Sequence, residues 1–186
     1  MIHLDGDTIV FKDLWEMFNL PFDDNYFLAQ PTSKDKFKDK VIKQNTINAG
    51  VILFNIKKFR EDNKDFELLH YLFVKNFTEQ VLMEYFCLPK IGYLPFKYGI
   101  LFIGDIKTYI SHYQNNIIQK VNWTEVAEAM KDPTIVHDAF CSPKHWNKGT
   151  KTLFEKSSWC YKYQKIFYLY AKKTKYYQKI YNEYII

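Results

Sequence analysis

The chain has 186 residues, 47% of them hydrophobic, with a formal net charge of +5. That length predicts one domain with a sizeable core, because domains run to roughly 100–200 residues, and the hydrophobic share excludes a disordered chain. Three scattered cysteines, Cys87, Cys141 and Cys160, exclude a disulfide framework and a CxxC metal knuckle, and no apolar run reaches the ~20 residues that a membrane span requires.

The opening stretch "MIHLDGDTIV" reads as a short buried strand over Ile2 to Leu4, an acidic step at Asp5 and Asp7, and a return to apolar residues at Ile9 and Val10. In "FKDLWEMFNL" the spacing of Leu14, Met17, Phe18 and Leu20 predicts one buried face of a short helix, closed by Pro21. "NYFLAQP" predicts a strand. "KDKFKDKVIKQN" is charged and reads as a solvated face, helical at most. The run Val51 to Phe54 predicts a buried strand preceded by Asn48, Ala49 and Gly50, small residues beside which a ligand can approach the backbone. Helical spacing runs from Lys57 to Val74, and "TEQVLMEYF" predicts another helix with Val81, Leu82 and Tyr85 inward. "IGYLP" predicts a short strand. Periodicity is weak from Tyr98 to Asn122. "WTEVAEAMKD" predicts a helix capped by Asn122 or Thr124 and closed by Pro133, and "TIVHDAF" a strand with His137 at its end. Strands alternating with helices predict an α/β sheet, and sites in open α/β sheets collect at the carboxyl ends of strands.

Asp5 and Asp7 can serve one site if the chain turns near Gly6, a turn that glycine makes without steric cost. Three chemistries use such a pair. A calcium loop needs a further oxygen ligand where Ile9 stands and a later bidentate Glu, so it fails. A haloacid-dehalogenase phosphatase opens with a strand ending in Asp-x-Asp, but it needs Thr or Val at Ile9 and a late acidic pair, whereas the one Asp-Asp is Asp23-Asp24. In nucleotide-sugar transferases both carboxylates hold a divalent cation against a diphosphate leaving group.

Five blocks, "HLDGDTIV", "INAGVILFNIKKFR", "EQVLMEYF", "IGYLPFKYG" and "DPTIVHDAFCSPKHW", stand in the order and at about the spacing of family 8 glycosyltransferases, which this chain resembles over nearly its whole length. The resemblance implies a partial GT-A fold, α/β and Rossmann-like, with a mixed sheet and a helical C-terminal tail. It implies metal ligands Asp5, Asp7 and His137 for Mn²⁺ or Mg²⁺, since carboxylates and imidazole suit such a mixed site. It implies Lys144 on the diphosphate, Asn48, Ala49 and Gly50 lining the donor-sugar pocket, and, in the preferred register of "TEQVLMEYF", Glu79 accepting from sugar hydroxyls and Gln80 near the anomeric carbon as the catalytic group; the other register sets Thr78 and Glu79 there. The implied reaction moves a hexose from UDP-glucose or UDP-galactose to a saccharide or lipid-linked saccharide, with retention. Without a placed carboxylate nucleophile, front-face attack follows, with Gln80 acting electrostatically.

Two departures accompany the resemblance. Family members place a nucleotide-binding region ahead of the Asp-x-Asp strand, which here opens the chain, so a fragment or a chain completed by a partner is expected, with a non-catalytic remnant or a subunit that binds a partner or membrane surface as the alternative. "HDAFCSPKHW" lacks the family's Gly between His and Lys, is one residue longer there, and has His145 in place of Pro. The expected organisation is therefore a metal- and sugar-binding half over residues 1–146 and a basic aromatic helical extension over 147–186. That tail interleaves Lys with Trp159, Tyr161, Tyr163, Phe167, Tyr168 and further tyrosines. Read as amphipathic helices it packs aromatics inward; read as a surface it suits a membrane headgroup layer. No nucleic-acid motif accompanies it. The expected location is cytoplasmic, with peripheral contact at the inner face of the membrane.

Overall fold

The computed structural model describes residues 1–34, 45–75, 79–101, 107, 110, 122–139, 144, 159–180 and 182. A four-stranded sheet has the order β1-β4-β3-β5, formed by β1 (Ile2–Leu4), β3 (Phe27–Lys34), β4 (Asn45–Phe54) and β5 (Ile91–Tyr93). A three-stranded sheet has the order β2-β7-β6, formed by β2 (Thr8–Val10), β6 (Ile100–Leu101) and β7 (Ile135–His137). Both sheets are mixed: β5 runs parallel to β3 and β6 parallel to β7, and the other pairs are antiparallel.

The helices are α1 (Trp15–Phe18), α2 (Ile56–Glu61), α3 (Lys64–Lys75), α4 (Glu79–Cys87), α5 (Trp123–Lys131), α6 (Trp159–Ala171) and α7 (Tyr177–Ile180), with a 3₁₀ turn at Phe96–Tyr98. Three apolar clusters order the layers. Phe27, Ala29, Ile47, Ala49 and Ile52 pack one face of the larger sheet against Phe59, Met83 and Cys87 of α2 and α4. Leu28, Val51 and Leu53, from its other face, meet Met17 and Ile135. Across the smaller sheet, Ile9, Leu101 and Val136 pack on Val126, Ala129 and Tyr163 of α5 and α6.

Several predicted elements take a different extent, for local reasons. The helical span from Lys57 to Val74 is two helices, because Asn63 adopts φ 55° and breaks the ladder between α2 and α3. The helix near Pro21 has four residues; Met17 is fully buried, but Phe18 is 50% exposed and stacks on Trp15 at 6.2 Å. In α4 the buried apolar residues are Leu82, Met83 and Cys87, with Glu84 buried beside them, and Tyr85 faces out. Asn122 is the cap of α5: its Oδ1 accepts the amides of Thr124 and Glu125 at 3.1 and 3.3 Å. Most of the charged stretch after Lys34 and of 98–122 lies outside the described residues.

The feature that positions the site is a bulge in β4. Ala29 of β3 pairs with Ile52, but the next residue, Gln30, pairs with Asn48, so β4 carries three extra residues there. Strict alternation would put Asn48 and Gly50 on the face of Ile52, toward the helices. The bulge reverses the parity, so Ile47 and Ala49 take that apolar face and the polar Asn48 is delivered to the side of β7.

Candidate metal centre

The first sheet hands the chain to the second through the turn Asp5-Gly6-Asp7-Thr8. The Asp5 carbonyl accepts both the Thr8 amide, at 3.1 Å, and the Thr8 hydroxyl, at 2.8 Å. The Asp5 amide donates to the Gly50 carbonyl at 2.8 Å, which ties the turn to the β4 bulge. On the other side Thr8 pairs with His137 in the β2–β7 ladder. The expected turn is thus present, and the histidine 130 positions away in sequence is set beside it by strand register.

His137 Nε2 lies 2.9 Å from Asp7 Oδ1 and 3.8 Å from Asp5 Oδ2. One ligand atom from each of the three residues lies within 4.8 Å of the others. Adjacent donors about 2.1 Å from one ion stand roughly 3.0 Å apart, so the three side chains fit a single divalent cation. Asp5 is half-exposed, Asp7 less so, and the His137 ring is buried, which leaves the site open toward Asp5.

Two neighbours hold the imidazole. Asn48 Oδ1 accepts the Gly50 amide at 2.9 Å, which fixes the amide's oxygen end, and the same oxygen lies 2.9 Å from His137 Nδ1. Nδ1 therefore carries a proton, and Nε2 is the ring nitrogen that faces the carboxylates. A neutral ring in that pose opposes its lone pair to a carboxylate oxygen at 2.9 Å, a contact that only a cation or a second proton between them makes favourable. A Cβ on Gly50 would lie 2.0 Å from His137 Cε1, so the ring occupies the space a side chain at position 50 would fill.

Lys144 Nζ donates to Asp7 Oδ2 at 2.8 Å and also to the Asp138 carbonyl, despite the altered loop between His137 and Lys144. Burial would raise the Asp7 carboxyl, but hydrogen bonds and charge from His137 and Lys144 outweigh it and hold the group well below the usual carboxylate range. Asp7 therefore stays ionised. The Asp138 amide and the Tyr163 hydroxyl both donate to the Asp7 carbonyl, at 2.9 and 3.0 Å.

Of the predicted residues, Asp5, Asp7, His137, Lys144, Asn48 and Gly50 meet here. Ala49 packs its methyl in the apolar cluster with Tyr26 and Phe27. Glu79 opens α4. Gln80 Nε2 donates to Glu84 Oε1 at 3.3 Å, and that oxygen accepts the Ile47 amide at 2.9 Å, so Gln80 is linked to the strand residue just before Asn48. Sequence reasoning missed the buried Glu84, Asp138 and Tyr163. Asp138 could have been noticed as the neighbour of His137; nothing in the spacing of the tail marks Tyr163.

Among known proteins, the sequence model described as glycosyl transferase family 8 matches residues 1–150. A search of curated proteins finds no match. Among solved structures the chain is similar to the apo form of the bifunctional glycosyltransferase WbbM, with TM-score 0.73, 20% identity, and coverage of 100% of this chain and 34% of that one. It is similar to the glycosyltransferase GlyE of Streptococcus pneumoniae TIGR4, with TM-score 0.56, 20% identity and coverage of 98% and 41%. The galactosyltransferase LgtC in complex with donor and acceptor sugar analogues matches with TM-score 0.51, 18% identity and coverage of 80% and 55%. This chain therefore spans between about a third and just over half of the structures it matches.

Proposed function

The chain belongs to glycosyl transferase family 8 and carries part of a GT-A fold, and from that premise we propose that it transfers a hexose from a UDP-sugar to a saccharide or lipid-linked saccharide, with retention at the anomeric carbon. The observation that carries the reading is the convergence of Asp5, Asp7 and His137 on one point, with Lys144 on the same Asp7 carboxylate. Asp5, Asp7 and His137 would hold Mn²⁺ or Mg²⁺, and the ion, when bound, neutralises charge growing on the departing diphosphate.

The chain's own residues divide the remaining work. Lys144 presents a point charge beside Asp7, where a diphosphate oxygen competes for it and draws it from its carboxylate partner. Asn48 holds the His137 ring in the tautomer that leaves Nε2 a ligand. Gln80, linked through Glu84 to the β4 residue before Asn48, would stand near the anomeric carbon, and Glu79, the first residue of α4, would accept from the sugar's hydroxyls. The bond from the anomeric carbon to the phosphate oxygen breaks, that carbon bonds to the acceptor oxygen on the same face, and the acceptor's proton passes to the leaving phosphate. No enzyme carboxylate is needed as nucleophile in that scheme.

A second reading, favoured by the share of the matched structures that this chain spans, is a non-catalytic remnant or a subunit that binds a partner chain or a membrane surface. No helix among the described residues is long and apolar enough to cross a membrane. Contact of the basic aromatic tail with a membrane surface is part of this proposal, with Leu169, Tyr170 and Tyr176 exposed.

The test is a Mn²⁺ titration of the chain and of Asp5→Asn, Asp7→Asn and His137→Ala, followed by UDP-sugar hydrolysis with and without Mn²⁺. Binding that drops at least tenfold in each variant supports the site. Binding indifferent to all three sinks it. Mn²⁺ binding without UDP affinity points to the second reading.

A further inference from the structure

From α6 we infer that Tyr163 is a positioning residue for the metal centre, so that the C-terminal helix is a strut of the Asp5-Gly6-Asp7 turn. The inference rests on the reading of Asp5, Asp7 and His137 as a cation site.

Tyr163 is 1% exposed, and its ring packs with Ile9 of β2, Val136 of β7 and Val126 of α5. Ile9 lies two residues after Asp7, and Val136 one before His137, so the cluster that buries the ring includes both strands that deliver ligands. Its hydroxyl reaches past them to the Asp7 carbonyl at 3.0 Å. That carbonyl also accepts the Asp138 amide at 2.9 Å, and these two donors come from different elements. The peptide plane after Asp7 is therefore held from two directions, which anchors the Cα from which the Asp7 side chain reaches the site. Tyr161, on the same helix, lies with its ring 4.8 Å from Lys165 Nζ and serves as an internal control.

Removing the partner of a ligand residue costs about 10–100-fold in metal affinity when it bonds the ligand side chain itself. Tyr163 acts one step further away, on the backbone, so Tyr163→Phe is expected to weaken Mn²⁺ binding about three- to tenfold, with the ring and its packing kept. Tyr161→Phe is expected to leave binding unchanged. The titration uses the whole chain, followed by the loss of the free Mn²⁺ electron spin resonance signal, with circular dichroism as the check on folding. As a second measurement on the unaltered protein, Mg²⁺ is expected to shift the ring NMR signals of Tyr163 and leave those of Tyr161 in place. This arm holds even if Tyr163→Phe does not fold. Mn²⁺ affinity equal in wild type and Tyr163→Phe, or Tyr163 signals unmoved by Mg²⁺ that does bind, overturns the inference and leaves the site intact. No Mn²⁺ binding by the wild type overturns both.

Discussion

The close approach of His137 to Gly50 converts into a sharp prediction for Gly50→Ala. The added methyl carbon would stand 2.0 Å from His137 Cε1, 2.4 Å from Nδ1 and 2.6 Å from Nε2. Carbon atoms settle at about 3.5–4.0 Å, so the ring must retreat by roughly 1.5 Å. It has nowhere cheap to go, because His137 is 3% exposed and its strand is paired on both sides, to β2 and to β6. Retreat also breaks the Nδ1–Asn48 hydrogen bond. Overpacking of a core costs about 1–3 kcal/mol, and the lost hydrogen bond about 1 kcal/mol. Gly50→Ala is therefore expected to destabilise by roughly 2–4 kcal/mol, which for a chain of this length lowers Tm by about 4–16 °C. Mn²⁺ affinity should fall more than tenfold. The comparison is Gly6→Ala, where an added Cβ meets nothing within 4 Å and should leave Tm within about a degree or two. Thermal unfolding by circular dichroism and a Mn²⁺ titration measure both effects. A Gly50→Ala protein that melts with the wild type and binds Mn²⁺ equally well would refute the cradle argument.

Lys144 and a divalent cation compete for the same Asp7 carboxylate, so Lys144→Met should bind Mn²⁺ alone as well as or better than wild type. With UDP present, affinity should fall about tenfold; isothermal titration distinguishes the two signs. Asn48→Leu removes the acceptor that orients His137, and about a tenfold loss of Mn²⁺ affinity is expected; unchanged affinity means the ring is held by packing alone. For pH, the Asp7 carboxyl is depressed in the folded chain, so its stabilising contribution is present above the unfolded value of about 3.9 and is lost as pH falls toward the folded one. Acid unfolding of the metal-free chain should steepen below about pH 4, and Asp7→Asn should flatten that part of the curve. Identical acid limbs would show that other carboxylates carry it.

Much of the chemistry was legible in the residues, because it depends on local pattern. An acidic pair separated by Gly6 at the end of an apolar run specifies a turn, and the ordered blocks through "TIVHDAF" and Lys144 specify which distant groups belong with it. Met17 inside follows from spacing alone, and the residue types at Asn122 and Thr124 mark the cap that the structure places at Asn122. The length of the helical run after Lys57 did not, because a single left-handed residue such as Asn63 leaves no mark on the hydrophobic period. Nor did Phe18, whose exposure depends on which neighbour lies across from α1.

The sequence by itself determined which residues are chemically able to hold a cation, and that they belong to one family's order. Only the tertiary structure decided how they are held. The three extra residues of β4 reverse the alternation and bring Asn48 and Gly50 to β7. Tyr163 arrives from a helix more than 150 residues beyond Asp7. Both are pairings between segments distant along the chain, and such pairings are set by strand register and by which apolar faces bury each other, quantities that no window of neighbouring residues contains.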